Sequence, residues 1–190
     1  MRFGRSGTIR RGRLAPAAGV ALLSYCLLTM TAWGQEGQLE LAVKATYLVK
    51  FAAFVEWPAS AFESASGPLN LCIVGAPLAG VADQVAAGQT VGQHPLAVRH
   101  IAAATHGLGC HIIFTAGAPQ QSVEAAIDAV RGEPVLTVTD LPQTAPRRGI
   151  INFVLQSNHV RFDIDDREAT RDGLRISSQL LALAVNVSPR

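Results

Sequence analysis

Charged residues are scarce in this 190-residue chain: they make up 16% of it, against 49% hydrophobic residues. The positive charge is also unevenly placed, because five of the sixteen Lys and Arg residues lie in the first thirteen positions, where no acid occurs. From Gln35 onward the chain carries eleven basic and fourteen acidic residues, a net charge of −3. A nucleic-acid-binding protein needs a basic surface that neutralises phosphates, so this composition excludes that class. Low net charge and high apolar content also exclude a disordered chain.

Catalytic and nucleotide-binding motifs are missing as well. The chain contains no G-x-S-x-G, H-E-x-x-H, P-loop or G-x-G-x-x-G pattern. These patterns are the signatures of common hydrolase, metalloprotease and nucleotide sites. The five histidines are dispersed, with no pair at metal-ligand spacing on a helix. We therefore expect neither an enzyme nor a protein with a metal or cofactor.

An acidic cluster from Asp163 to Glu168 leaves two interpretations open. Asp163 and Asp165 lie on one face of a predicted strand, an arrangement in which both carboxylates can converge on a cation. No glycine-bearing calcium loop accompanies them, however. Carboxylates also suit the first turn of a helix, where they meet the positive end of the helix dipole. We favour a helix that begins near Asp165 over a ligand site.

The first 34 residues are predicted to form a secretory signal. A basic segment, Met1–Arg13, precedes the apolar stretch Ala17–Leu28, and Ala32-Trp33-Gly34 supplies the small residues of a cleavage site. The apolar stretch is shorter than the roughly 20 residues that span a bilayer. We expect cleavage near Gly34 and export of the chain from Gln35 onward. The alternative is an uncleaved N-terminal anchor.

Two cysteines follow the predicted signal, Cys72 and Cys110. In an oxidising compartment an isolated pair most simply forms a disulfide. The closed loop has about 39 residues, which corresponds to roughly 4 kcal/mol of stabilisation on the chain-entropy model. The alternative is two buried thiols. A metal site is not indicated, because His111 follows Cys110 directly and is expected to point to the opposite face of a strand.

Apolar residues at helical spacing predict a long opening helix within Gln35–Phe54, which ends before Pro58 because the residue preceding a proline disfavours the helical conformation. Short apolar runs predict strands, and amphipathic segments predict helices between them. The predicted strands are Leu69–Gly75, Leu96–Ile101, Cys110–Thr115, Pro134–Thr139, Ile150–Leu155 and His159–Ile164. The further predicted helices are Pro77–Ala87, Gln120–Arg131, one beginning near Asp165, and Ile176–Val185.

Strands that alternate with helices are typical of an α/β protein with a parallel sheet. The last two predicted strands are separated only by Gln156-Ser157-Asn158, which suits an antiparallel hairpin. We therefore predict one α/β domain: a mixed, largely parallel sheet with an antiparallel C-terminal hairpin and helices on both faces. No internal repeat or interdomain linker divides the chain after Gln35.

Three parts of the chain resemble the YfiR family of periplasmic regulators. The resemblance spans essentially all of residues 35–190 and implies a single YfiR-like domain there. Its specific parts are the Val-Glu-Trp-Pro sequence after the opening helix and the closing Ile-Ser-Ser-Gln-Leu-Leu sequence. The matching segments are Lys44–Phe51 with Phe54–Pro58, Cys72–Gly75 with Cys110–Phe114, and Ile151–Val154 with Arg161–Ile164 and Leu174–Leu181.

The resemblance implies a periplasmic binding protein that represses an inner-membrane diguanylate cyclase through the periplasmic part of that enzyme, and so lowers cyclic di-GMP signalling and biofilm formation. It implies no catalytic activity and no cofactor. It also implies a homodimer, a structural Cys72–Cys110 disulfide, and release of repression by an OmpA-like outer-membrane lipoprotein. A second disulfide of some members would lie around Ala145–Asn152, where this chain has no cysteine. The alternative function is a periplasmic small-molecule-binding module.

The predicted strand His159–Ile164 offers a surface for a partner. His159, Arg161 and Asp163 alternate along it with apolar residues, which predicts that they share an exposed face. An edge strand also has unpaired backbone groups that a partner strand can use. The resemblance points to the same region, because it implies that repression depends on a patch matching Phe153 and Asp163. We predict that Phe153, Arg161 and Asp163 contact the cyclase, with the wide apolar stripe of the opening helix as the second candidate surface.

Overall fold

The apolar stripe of the opening segment forms a helix, α1, which covers residues 37–51. The computed structural model describes residues 37–75 and 78–190, so the predicted signal sequence and its cleavage site near Gly34 lie outside the described residues. Leu48 and Phe51 are fully buried on one side of α1, whereas Thr46 and Lys50 face solvent. Apolar residues that recur at the helical period give a helix one buried side and one exposed side in this way.

The other described helices are short and lie between or after strands. They are α2 (Ala79–Ala86), α3 (Val123–Ala129), α4 (Asp166–Arg171) and α5 (Ser178–Leu181), with 3-10 turns at Ala52–Phe54 and Ala59–Ala61. The described strands are β1 (Val55–Glu56), β2 (Leu69–Val74), β3 (Thr90–Val91), β4 (His94–Ile101), β5 (Ile112–Thr115), β6 (Leu136–Thr139), β7 (Ile151–Gln156), β8 (His159–Asp165), β9 (Arg175–Ile176) and β10 (Val187–Ser188).

Eight of these strands form one sheet in the order β10-β8-β7-β6-β5-β2-β4-β3. The neighbours from β7 to β4 run parallel, whereas β8 is antiparallel to β7 and β3 is antiparallel to β4. Strands β1 and β9 form a separate two-stranded antiparallel sheet. The predicted α/β fold, with a largely parallel sheet and an antiparallel C-terminal hairpin, is confirmed.

Each face of the sheet packs into its own hydrophobic core, because successive residues of a strand point to opposite faces. On β2, Leu71 belongs to the larger core, together with Leu48 of α1 and Ala82 of α2. Its neighbour Cys72 belongs to the smaller core, together with Ala126 of α3. Helices therefore cover both faces of the sheet, as predicted.

A disulfide between Cys72 and Cys110 lies in the smaller core, and the Cα atoms of the two residues are 5.9 Å apart. Cys72 is fully buried within β2, and Cys110 is buried just before β5. Because β2 and β5 are adjacent parallel strands, the bridge joins neighbours in the sheet. The predicted disulfide is confirmed, and the alternative of two free thiols is not.

The C-terminal segment differs from the helix predicted over Ile176–Val185. Helix α5 covers only the middle of this range, and the chain then returns alongside β8. The Val185 N–H donates to the Phe162 carbonyl, and the Ile164 N–H donates to the Asn186 carbonyl, both at 2.9 Å. The helix prediction is wrong here because unpaired backbone groups of β8 compete for this segment, and the local sequence pattern carries no sign of them.

Four described strands are not recognisable in the sequence: β1, β3, β9 and β10. Each has two residues, too few to show the alternation that identifies a strand. They form because longer elements bring their backbones within hydrogen-bonding distance of a partner strand. Short pairings of this kind depend on the tertiary fold and not on local propensity.

We expect the double variant Cys72→Ala/Cys110→Ala to lower the free energy of unfolding by about 2–5 kcal/mol, because the unfolded chain loses the constraint of the crosslink. Denaturant titration of the oxidised wild type and the variant measures the difference. Replacing both cysteines leaves no lone thiol that can form other disulfides. Equal free energies of unfolding would contradict a stabilising role for the bridge.

Candidate partner-binding surface

Strands β7 and β8 form a hairpin with a two-residue turn. Ser157 and Asn158 make this turn with φ values of 49° and 61°, the pair of left-handed conformations that a type I′ turn requires. Gln156 and His159 pair on either side of it, and the register continues without a bulge to the base of the hairpin. The antiparallel hairpin predicted here is therefore confirmed.

The tip of this hairpin extends beyond the rest of the sheet. On one side, β6 pairs only with Ile151 and Asn152 of β7. On the other side, β10 pairs only with Ile164 and Asp165 of β8. Residues 154–161, here named the hairpin overhang, have no third strand beside them in the part of the chain that the structure describes. The prediction of β8 as an edge strand therefore holds for its first residues and is wrong for its last ones, which β10 covers.

Phe153 lies at the base of the overhang and is 1% exposed. Its ring centroid lies 6.0 Å from that of Phe51 and 6.1 Å from that of Tyr47, both on α1. Phe162, opposite Phe153 on β8, lies 5.1 Å from Phe51. Aromatic packing of this kind fixes α1 against the hairpin. A substitution of Phe153 acts through this packing, because the side chain has almost no surface to offer a partner.

Lys44 joins α1 to the loop that follows β6. Its side chain is buried, with Nζ 2.5 Å from Oδ2 of Asp140 and in contact with Glu40. Burial works to lower the pKa of Lys44, but hydrogen bonds and attraction from the two carboxylates outweigh burial and raise the pKa above its ordinary value. The same Nζ lies 6.0 Å from the centre of the Phe153 ring, within reach of a cation–π attraction. A charged Lys44 therefore supports the base of the overhang from the α1 side.

Asp163 supports the base from the opposite face of the hairpin. The prediction that it is exposed is wrong, because its exposed fraction is 8%. Its carboxylate accepts hydrogen bonds from Arg148 Nη1 at 3.0 Å and Asn186 Nδ2 at 2.8 Å, with Gln143 Nε2 at 3.5 Å. These groups belong to the loop before β7 and the segment before β10. Strand alternation predicted the correct face but gave no sign of the segments that cover it.

Arg161 is the residue of the predicted set that reaches solvent. It lies on the overhang, two residues from His159, which is also exposed. The predicted set therefore divides: Arg161 offers a charged surface, whereas Phe153 and Asp163 hold the base of the overhang from its two faces. Contact of these residues with a cyclase stays a prediction.

The acidic residues after Asp163 lie at the start of helix α4. The Asp165 side chain accepts a hydrogen bond from the Glu168 N–H at 2.9 Å and caps the helix, as the sequence favoured. Asp166 accepts a hydrogen bond from Arg190 Nε at 2.8 Å. Over residues 37–75 and 78–190, no three His, Cys, Asp or Glu side chains are grouped as metal ligands.

Sequence reasoning missed three residues that complete this site: Lys44, Arg148 and Asn186. Lys44 lies at the border of the apolar stripe of α1, a position typical of a solvent-facing lysine. Arg148 and Asn186 lie 15 and 23 residues from Asp163, in irregular segments. A buried carboxylate needs hydrogen-bond donors, and this need is the one signal that could have pointed to such residues. It can be used only once the burial of Asp163 is known.

Two concave regions adjoin the hairpin. A polar cavity of about 620 Å³ lies beside Asp163, and its lining includes the side chains of Arg131, Arg147, Arg148 and Arg171. An apolar groove of about 520 Å³ lies between α1 and α5. Exposed Leu39 and Leu183 line this groove. Part of the wide apolar stripe of α1 therefore stays open to solvent.

The model of one protein family, described as YfiR/HmsC-like, matches residues 41–185. The matched range runs from α1 through the hairpin and includes both Lys44 and Asp163. The chain belongs to the YfiR/HmsC-like family. A search of curated proteins gives no match.

Membership in the YfiR/HmsC-like family indicates, at the level of the family, a periplasmic regulator of cyclic di-GMP signalling with a regulatory, non-catalytic domain. The Cys72–Cys110 disulfide fits this location, because disulfides persist in oxidising compartments outside the cytoplasm. Among the helices of residues 37–75 and 78–190, none combines the length and the hydropathy of a membrane span.

We expect Asp163→Ala to lower the free energy of unfolding by about 2–3 kcal/mol, because it leaves Arg148 and Asn186 without their acceptor. Arg161→Ala is the matched control: it alters the same face of the same strand at an exposed position, where the expected change is within about 0.5 kcal/mol. Thermal or denaturant unfolding of the two variants measures the contrast. Equal effects would show that Asp163 does not hold the base of the hairpin.

Proposed function

We propose that this protein represses an inner-membrane diguanylate cyclase by binding the periplasmic part of that enzyme. Repression lowers cytoplasmic cyclic di-GMP and biofilm formation. The observation that supports this proposal most is the family match over residues 41–185, which includes the whole hairpin together with Lys44 and Arg148. A regulator of this kind needs a rigid scaffold with a projecting recognition surface and does not need a catalytic centre.

The hairpin overhang supports the proposal as the place of contact. Its base is held on one face by the aromatic rings around Phe153 and on the other by the hydrogen bonds of Asp163. The exposed guanidinium of Arg161 then projects from an ordered strand. Charged groups placed in this way speed up encounter and fix the register of a complex. The two buried residues are positioning residues in this proposal, and Arg161 is the contact.

An OmpA-like outer-membrane lipoprotein releases the cyclase in the same proposal by binding the repressor in its place. Competition between two proteins needs no chemical change in this chain. The absence of cysteines around Ala145–Asn152 is consistent with this mode, because the second disulfide of some family members has no counterpart here.

A second candidate function is the binding of a small molecule, and the polar cavity beside Asp163 is the observation that favours it. Its volume of about 620 Å³ lies within the range of ligand pockets. A ligand that binds only the folded state raises the melting temperature in a concentration-dependent way. Saturable stabilisation by a periplasmic metabolite, in the absence of any protein partner, would favour this function over repression.

The test of repression begins with a crosslinked pull-down of the tagged protein from envelope extract. We expect a membrane diguanylate cyclase to be recovered, and its catalytic output to rise when the gene for this protein is deleted. Recovery of no cyclase, with unchanged cyclic di-GMP in the deletion strain, would refute the proposed function.

We expect Arg161→Glu to raise cellular cyclic di-GMP towards the level of the deletion strain, because the variant places a negative charge where the cyclase meets a positive one. Arg167→Glu provides the control: it makes the same charge change at an exposed position of α4, at the other end of β8. Both variants are compared at equal protein level and melting temperature. Full repression by Arg161→Glu would remove Arg161 from the interface.

A further inference from the structure

The imidazole of His111 is a buried titratable group that the proposed function does not use. His111 is 3% exposed and directly precedes β5. Its backbone belongs to the large sheet, because its N–H donates to the Asn70 carbonyl and its C=O accepts from the Leu136 N–H. The position of the ring is therefore fixed by the sheet.

A short segment packs against this ring. Residues 57–62, here named the strap, follow β1 and contain the 3-10 turn Ala59–Ala61. Trp57 Nε1 donates to the His111 carbonyl at 3.2 Å, and the centroids of the two rings lie 6.1 Å apart. At the other end of the strap, the centroid of the Phe62 ring lies 4.4 Å from that of His111. Both ends of the strap therefore contact His111.

Phe62 also contacts a second imidazole, that of His94 at the start of β4. The two rings are stacked, with centroids 3.8 Å apart, and His94 Nδ1 donates to the Gly67 carbonyl at 2.7 Å. Trp57 and Phe62 are half-buried and pack against the larger core. The strap therefore covers part of this core and is held there by contacts with two histidines.

The hydrogen bonds around His111 accept only its neutral form. Nδ1 accepts from the Asn70 N–H at 3.1 Å, so the proton of the neutral ring is on Nε2. A second proton must go on Nδ1, where it meets the Asn70 N–H and breaks this hydrogen bond. Nε2 is buried and makes no hydrogen bond of normal geometry with the described residues, although the Ala61 carbonyl attracts the charged form.

The charges around His111 do not stabilise an imidazolium either. Burial lowers the pKa of His111 below its ordinary value of 6.5, and a charge on His94 lowers this pKa further. The face of the Phe62 ring attracts a cation, but more weakly than burial without a counterion disfavours one. The other charged groups of the neighbouring segments have partners elsewhere or face solvent: Glu56 with Arg175, Asp83 with His100, Glu133 with His106, Arg99 with the Leu108 carbonyl, and exposed Glu63.

We infer that His111 and the strap form an acid-sensitive latch, in which protonation of the His111 ring opens the strap. The charged ring needs water around it, and water reaches it when Trp57 and Phe62 move away. Opening also exposes the part of the larger core that these two side chains cover. This inference goes beyond the proposed repression and does not depend on it.

The direction of the pH dependence follows from proton binding. In the open strap His111 has its ordinary pKa, whereas in the closed strap its pKa is lowered. The closed form is therefore fully favoured above about pH 6.5 and loses this advantage as the pH falls towards the lowered pKa. Because one proton is bound on opening, the ratio of open to closed protein rises by up to about tenfold per pH unit in this range.

The fluorescence of Trp57 tests the latch in the purified full-length protein. The chain has two tryptophans, so Trp33→Phe leaves Trp57 as the only one. As the pH falls below about 6.5, we expect the emission maximum to move to longer wavelength, because the indole becomes exposed to water. The far-UV circular dichroism should stay unchanged over the same range. The ring C–H protons of His111, followed by NMR, should titrate with the same midpoint as the emission.

Substitutions show which histidine is responsible. His111→Asn keeps an acceptor for the Asn70 N–H, and His111→Phe keeps an aromatic ring; neither side chain takes up a proton. In both variants the emission maximum should stay at its neutral-pH value. His94→Asn keeps a donor for the Gly67 carbonyl and should retain the transition. His159→Gln, at an exposed position of β8, is the control and should leave the midpoint unchanged.

Three results would overturn this inference. The first is an emission maximum that moves only together with the far-UV circular dichroism, which would mean that the whole fold opens. The second is an unchanged transition in a His111 variant whose emission at neutral pH matches that of the parent protein, or its loss in His94→Asn alone. The third, which needs no variant of His111, is a His111 ring that titrates at a different pH from the emission.

Discussion

The packing of Phe51 against Phe153 and Phe162 is the interaction on which the position of the hairpin depends. Helix α1 precedes the large sheet in the chain and is not a crossover between two of its strands, so side-chain contacts must hold it in place. Those contacts fall at the base of the hairpin. A large-to-small change at any of the three rings leaves a cavity that helix and hairpin share. The stability of the core and the position of the hairpin are therefore coupled at this point.

The hairpin is held by different physical means on its two faces. The face towards α1 uses aromatic packing, with Lys44 and Asp140 as an ion pair at its margin. The other face uses a buried carboxylate, Asp163, whose hydrogen bonds fasten two irregular segments. Apolar packing resists separation, whereas hydrogen bonds fix direction. Together they give a rigid base to a tip that has no other strand beside it in the described residues.

The sequence is informative where structure follows from local pattern. Continuous apolar runs located β2, β5 and β6 to within two residues, and the carboxylate of Asp165 marked the start of α4. The pattern fails where distant segments decide the outcome. The burial of Asp163 depends on Arg148 and Asn186, and the path after α5 depends on open backbone groups of β8. For the hairpin, the sequence located strand β8, but not which of its side chains reach solvent.

The position of the Cys72–Cys110 bridge constrains when it can form and break. Both sulfurs lie inside the smaller core, behind α3, so an oxidase can reach them only while that core is still open. Oxidation is thus a step of assembly that precedes closure of this core. In the finished molecule a small reductant meets the bond only during rare openings of the fold, at a rate set by those openings. The closed core therefore shields the bridge from reductants.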